Sequence, residues 1–243
     1  MKQCLLFLAF LILGSFSSNA QLKFGITGGI DYSKTNIHRS YQDDFGILGK
    51  AAYHFGLSAA YQVNEKVYFT ADLLFAKRGF SQPNSQETTG NDFLTHRVSD
   101  INVSVNYIEI PVLSEFKVKF DKMNVLFGVG PYIAYGIGGK INLNIESGSN
   151  TANFSDKIYW SKFDWIRNAN LNESIVYNLG QANIQRFDYG PVVRFGIEYN
   201  SFALNAEYQY GIANLMYEWS KYESMHNQSL GLSVKYLFSL KKQ

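Results

Sequence analysis

From Leu22 onward the apolar residues recur at every second position, the period of a β-strand, and the runs outlast the roughly five to six residues usual in soluble sheets. Eight segments carry the pattern: 22–32, 48–62, 66–80, 104–119, 123–140, 185–200, 202–213 and 227–240. In the second, Ala51, Tyr53, Phe55, Leu57, Ala59 and Tyr61 form one face, with Lys50, His54, Ser58 and Gln62 on the other. In the third, Val67, Phe69, Ala71, Leu73 and Phe75 oppose Tyr68, Thr70, Asp72 and Arg78. The last two repeat the scheme, Phe202, Leu204, Ala206, Tyr208 and Tyr210 against Asn205, Glu207 and Gln209, then Leu230, Leu232, Val234, Tyr236 and Phe238 against Ser229, Ser233 and Lys235.

Alternation of this kind also suits a soluble barrel with an apolar interior. The connections discriminate. Those at 63–66, 120–124 and 200–201 are short, those at 33–47, 81–103, 141–184 and 214–226 are long, and the two kinds strictly alternate. Short links at one end and long ones at the other are the asymmetry of membrane barrels, whose edges must also close because lipid offers unpaired backbone groups no partner. The pattern predicts an all-β, closed up-and-down antiparallel transmembrane β-barrel of eight strands, with short periplasmic turns, long outer loops and the apolar face toward lipid.

The first 20 residues predict export. Lys2 precedes the apolar run 5–13, followed by small residues and Ala20, so a signal peptide covering 1–20 is expected, with the barrel domain at 21–243. Cys4 is the one cysteine, so the exported chain uses neither disulfides nor thiolate metal ligands. The composition agrees: 16% aromatic against only 17% charged residues, and 20 Gly against 4 Pro. A formal net charge of +2 gives no reason to expect a nucleic-acid partner.

If the apolar parity meets lipid, the other lines the lumen. It carries Lys23, Lys50, Arg78, Lys117, Lys119, Arg194 and Lys235 against Asp31, Asp72, Glu109, Glu115, Asp188, Glu198 and Glu207. Mixed signs in an interior just wide enough for side chains predict a structural polar network, chiefly Asp72, Glu109, Glu115, Lys117, Arg194, Glu198, Glu207 and Lys235, rather than a one-sign selectivity ring. Gly128, Gly130, Ala134, Gly136 and Gly138 leave the fifth segment almost without inward volume, making room for long side chains from opposite strands.

The connection 141–184 is unusually apolar. Trp160, Phe163 and Trp165 predict an outer-loop aromatic patch suited to an envelope protein or glycan partner. An alternative takes 154–166 and 173–181 as a further hairpin in the wall, giving ten strands.

With the strands laid out, the chain resembles the Bacteroidetes-type outer-membrane β-barrel (porin-like) family. The likeness is carried by QLKFGITGGI at 21–30, YIEIPVL at 107–113, GVGPY at 128–132 and GLSVKYLF at 231–238, the Ile108-Glu109-Ile110-Pro111 element being the most specific. The resemblance implies an outer-membrane barrel in a family whose members mostly lack an assigned activity; a PorT-like subset belongs to secretion and gliding assemblies, and no motif here marks that subset. Barrels of this kind commonly end at an aromatic residue, whereas residues 239–243 continue past Phe238.

Candidate chemistry is sparse. Barrel enzymes set a base near the rim to activate a nucleophile, and of the four histidines His38, His96 and His226 fall in outer connections while His54 faces inward. Ser99 and Asp100 follow His96, but a triad is assembled in space. No metal-ligand spacing occurs, and no cofactor is expected. The expectation is a non-enzymatic outer-membrane protein, in contact with lipid, with a side-chain-filled lumen and an envelope or surface role through its outer loops. A small pore, a secretion or gliding component, a rim enzyme acting on lipid or peptide and a soluble periplasmic barrel are the rivals, and the oligomeric state is left open.

Overall fold

A computed structural model describes residues 22–38, 46–83, 87–89, 95–147, 150–158, 160, 184–216 and 224–238. The expected signal segment, Phe163, Trp165 and most of the postulated extra hairpin lie outside them. The strands are β1 (Leu22–His38), β2 (Leu48–Gln62), β3 (Val67–Pro83), β4 (Glu87–Thr89), β5 (Thr95–Phe120), β6 (Met123–Ser147), β7 (Asn150–Lys157), β8 (Phe187–Tyr199), β9 (Phe202–Tyr210) and β10 (Ser224–Phe238). Eight of them close a ring of antiparallel neighbours, β1-β2-β3-β5-β6-β8-β9-β10 and back to β1, with β5–β6 completing the circuit. β4 and β7 stand outside it, paired only with the outer ends of β5 and β6.

The wall therefore has eight strands. β8 pairs directly with β6 over residues 123–135 and β7 takes over as partner at 140–147, so no hairpin is inserted between β6 and β8. At the tight-turn end Asp121 and Asn200 adopt φ of 53° and 54°, a left-handed conformation that Asp and Asn tolerate better than most residues. The third turn is tied by Asn64, whose Oδ1 accepts the N–H groups of Lys66 and Val67, both at 2.9 Å.

The outward face is apolar over a band between two aromatic girdles. Phe24, Phe116, Phe120, Tyr199, Phe202 and Phe238 lie near the turns, and Tyr32, Tyr53, Tyr135, Phe187 and Tyr189 lie toward the loops. Pairs such as Phe202 and Tyr236, with ring centroids 4.8 Å apart, pack edge to neighbour within a girdle.

The strands run further toward the loop end than the alternation predicts, β5 starting at 95 rather than 104 and β6 ending at 147 rather than 140. The reason lies in the residues. Beyond the apolar band the outward positions of β5 become Asn102, Ser104 and Asn106, and the inward ones become Ile101, Val103 and Val105. On β5 the sequence itself changes phase at Tyr107. On β6 the backbone does it: Asn106 pairs with Gly138 but Tyr107 with Gly136, so Ile137 is an extra residue, and its bulge turns Ile141 and Leu143 inward.

Candidate functional site

The interior has two storeys. In the lower one, within the apolar band, the inward parity of β2, β3, β5, β8, β9 and β10 brings long charged side chains together. Arg194 of β8, 2% exposed, is the hub. Its Nη2 lies 2.6 Å from Asp72, its Nη1 2.8 Å from Glu115 and its Nε 3.1 Å from Glu207. Lys235 meets Asp72 at 2.9 Å from the opposite side. Hydroxyls supply further donors: Ser58 to Asp72, Thr70 to Glu115 at 3.0 Å and Ser233 to Glu207 at 3.1 Å. Gly128 makes this possible, since a Cβ there would meet Glu115, Leu113 and Arg194.

Three smaller groups surround the hub. Toward the turns, Lys117 pairs with Glu198 at 2.6 Å, and Asn124 donates to the same carboxylate at 3.2 Å. Toward the loops, Arg78 pairs with Glu109 at 2.6 Å and also donates to Gln209, whose amide returns to Glu109 at 2.8 Å. His54 Nδ1 lies 2.8 Å from Asp31.

All eight network residues named from the sequence are buried on the lumen side, where Asp72, Glu115, Arg194, Glu207 and Lys235 share the hub and Lys117 pairs with Glu198, but Glu109 pairs with Arg78 and Gln209 and with none of the other seven. Of the wider charge list Asp31, Arg78 and Asp188 are buried as expected, but three lysines are not. Lys119 is exposed and Lys23 is half-buried at the rim, and Lys50 reaches Asn102, Val103 O and Ser104 on the outward side of β5. β2 is irregular between Gly49 and His54, which displaces Lys50 from the lumen face its parity predicted. The buried interior consequently carries more carboxylates than cations, and hydroxyl, amide and imidazole groups take up the difference.

Above Arg78 the character changes. Tyr107, Tyr132, Asp188, Asn227 and Thr35 form a polar floor, with Asn227 donating to Asp188 at 2.9 Å and accepting from Thr35 at 3.0 Å. Over it lies a continuous apolar cluster including Phe80, Ile101, Val103, Val105, Ile141, Leu143, Ile158, Leu215 and Met225. A cavity of about 10 Å³ between floor and cluster, lined in part by Arg78, Tyr107 and Asn227, has room for about one water. This storey was not foreseen, although the phase change across Tyr107 carries its signal.

Of the aromatic patch, Trp160 is described, and it is no exposed platform. It is half-buried against the apolar cluster with its ring where a Cβ on Gly136 would stand, and the Arg186 guanidinium lies 5.1 Å from it. Phe163 and Trp165 lie outside the described residues.

Among the described residues the geometry gathers no hydrolytic site. His54 is engaged by Asp31, while Ser58, four residues further along β2, donates to Asp72. His226 stacks on Tyr210 at 6.4 Å on the outward face. The side chains of His96 and Ser99 lie outside the described residues, and Asp100 accepts from Ser81 at 3.2 Å. Among the described residues no group of His, Cys, Asp and Glu is arranged to hold a metal ion.

Residues 16–217 match the family described as outer membrane protein beta-barrel domain. No curated protein matches the chain significantly. Among solved structures it is similar to Ail, the attachment invasion locus protein of Yersinia pestis, in complex with the heparin analogue sucrose octasulfate, with 14% identity, coverage of 90% of this chain and 99% of that one, and a TM-score of 0.37. The Neisserial surface protein A is similar at 10% identity, 88% and 97% coverage and a TM-score of 0.39. OprG from Pseudomonas aeruginosa is similar at 8% identity, 91% and 96% coverage and a TM-score of 0.40.

Proposed function

Because the chain belongs to the outer membrane β-barrel protein family, which implies the Gram-negative outer membrane and contact with its lipid, we propose that it is a sealed, non-enzymatic barrel that acts through its loop end. The observation that carries this reading is the filled interior: Arg194 bridges carboxylates from β3, β5 and β9 across the lumen, and the apolar cluster lies above it. A path for solute would have to break several buried ion pairs and open a close-packed layer, each costly. The wall continued above the band gives the outer surface a rigid base, which suits binding to an envelope protein or glycan better than loose connection would. On the same reading residues 1–20 serve as a signal peptide, which Lys2, the apolar run 5–13 and the small residues before Ala20 support.

Planar-bilayer recording of the refolded barrel tests the seal. No discrete conductance is expected, and sustained current steps from the wild-type protein would overturn it. Replacing 161–183 by a short Gly-Asn turn, which spares β7 and Trp160, should leave an inserted, heat-resistant barrel while removing surface binding. Unchanged cellular function in that variant would remove the interaction role.

A further inference from the structure

After β9 the chain leaves the wall, and residues 211–216 turn inward as a strap over the polar floor. Ala213, Leu215 and Met216 are buried in the apolar cluster. Backbone bonds tie the strap to its neighbours: Gly211 N–H donates to Asn227 O at 2.7 Å, Ile212 N–H to Tyr189 O at 2.9 Å and Leu215 N–H to Met225 O at 2.8 Å, while Gln185 N–H donates to Leu215 O at 2.7 Å. Asn214 Oδ1 accepts the N–H groups of Met216 and Met225, both at 3.0 Å.

Beneath the first residue of the strap lies Asp188, 1% exposed. The approach is close: a Cβ on Gly211 would stand 2.7 Å from Asp188 Oδ1 and 3.1 Å from the Tyr132 hydroxyl. The carboxyl has neutral partners. Asn227 donates to its Oδ2 at 2.9 Å, the Tyr132 hydroxyl is its other hydrogen-bonding neighbour, and Oδ1 is left without a well-formed hydrogen bond. No cation among the described residues pairs with it, because Arg78 is engaged by Glu109 and Gln209. The titratable groups that face it are Tyr132 from β6, Tyr107 and Glu109 from β5 and Arg78 from β3, while Asn227, Gln209 and residues 211–216 contribute none. Burying an ionised carboxylate without a cation is costly, so with the strap down the group holds its proton. Ionisation calls for water, and the strap is the layer that water must displace. The cavity of about 10 Å³ against Arg78, Tyr107, Asn227, Leu215 and Met225 is the space from which that wetting starts.

We propose that Asp188 and residues 211–216 form an acid-locked latch, closed over the neutral carboxyl and released when that carboxyl ionises, which bares Leu215, Met216 and Met225 at the loop end. The latch goes beyond the sealed-barrel reading, since the ion network below stays shut in both states. The closed form holds one more proton than the open one, so opening rises with pH, by up to about tenfold per unit. Cys4 is the chain's one cysteine, so the barrel at 21–243 accepts a single reporter thiol. Ala213→Cys is buried only while the strap is down. In the refolded barrel its labelling by a charged maleimide, taken relative to the exposed S155C to remove the titration of the thiol itself, should rise with pH while A60C in the lower storey stays unlabelled. D188N and D188S remove the ionisable group at two sizes, and in either one that keeps heat-resistant mobility the A213C labelling should stay low throughout. Infrared spectra of wild type should show a carboxylic acid carbonyl stretch that fades over the same pH range and is missing from D188N. Labelling of A213C that ignores pH in wild type, that rises equally in a folded Asp188 variant, or that is high at every pH in that variant would overturn the latch. So would A60C labelling in step with A213C, the mark of whole-barrel unfolding.

Discussion

Below Tyr107, β5 turns Ile108, Ile110, Val112, Phe116 and Val118 outward and Glu109, Glu115 and Lys117 inward; above it, Asn102, Ser104 and Asn106 face out and Ile101, Val103 and Val105 face in. One strand thus obeys two solvents. Where lipid covers the wall, apolar side chains are needed outside, and the polar ones of the other parity must satisfy each other across a narrow lumen. Where water covers it, burial of apolar surface is available only inside, and the barrel becomes an ordinary sandwich of polar exterior and apolar core. The two storeys are held by different forces and should fail differently.

The largest effect is expected from inserting one residue between Gly139 and Lys140. Deleting Ile137 would only remove the bulge and keep the pairing above it, whereas the insertion changes the face of every residue of β6 above, driving Lys140 inward and Ile141 and Leu143 outward. Each lost apolar burial costs about 1.5–3 kcal/mol. Protease should then cut the outer storey while the lower barrel stays protected; an uncut outer storey would refute the phase-switch account. Next comes Arg194→Met, which strands Asp72, Glu115 and Glu207 and should cost about 3–5 kcal/mol. Urea titration of the heat-resistant form measures it, and the loss should be smaller in the background of D72N and E115Q. Simple additivity would mean that the hub is not one coupled network.

A third test uses a single face. Ile110→Arg should cost about 2–4 kcal/mol because it lies in the lipid band, whereas Thr151→Arg, at an exposed position above the band, should change stability by no more than about 0.5 kcal/mol. Equal costs would put the edge of the band in the wrong place. The smallest effect concerns Lys117 and Glu198, near the turn end. A double-mutant cycle with K117M and E198Q should give a coupling of about 1 kcal/mol, and zero coupling would mark the pair as a solvated contact.

Much of this was legible in the sequence. Period-2 alternation places strands and faces, and the short turns with Asp121 and Asn200 give one end of the barrel. Parity alone puts Asp72, Glu115, Arg194 and Glu207 in the lumen. It cannot say that Arg194 is their common partner, because partners across a barrel depend on strand tilt and stagger. Lys50 was misplaced for a related reason, a local irregularity in β2 that no residue type announces. The outer storey was readable on β5, where the apolar phase shifts between Tyr107 and Ile108, but a strand boundary at 104 concealed it. On β6 it was not readable at all, since the apolar positions keep their spacing and only the bulge reverses them. Trp160 looked like a loop aromatic because the chain that buries it is distant in sequence.

The Ile137 bulge also bears on how such a chain can change length. Once the faces have been reversed there, everything above repeats with a step of two residues and has no further register to keep with the membrane. Matched pairs of residues added to β5 and β6 beyond Asn102 and Asn142 would raise the loops by roughly 7 Å per pair, less the tilt, with the lipid band and the ion network left as they are. A single added residue would undo the reversal instead. The height at which this protein carries its outer loops is therefore adjustable in discrete increments, independently of the part that anchors it.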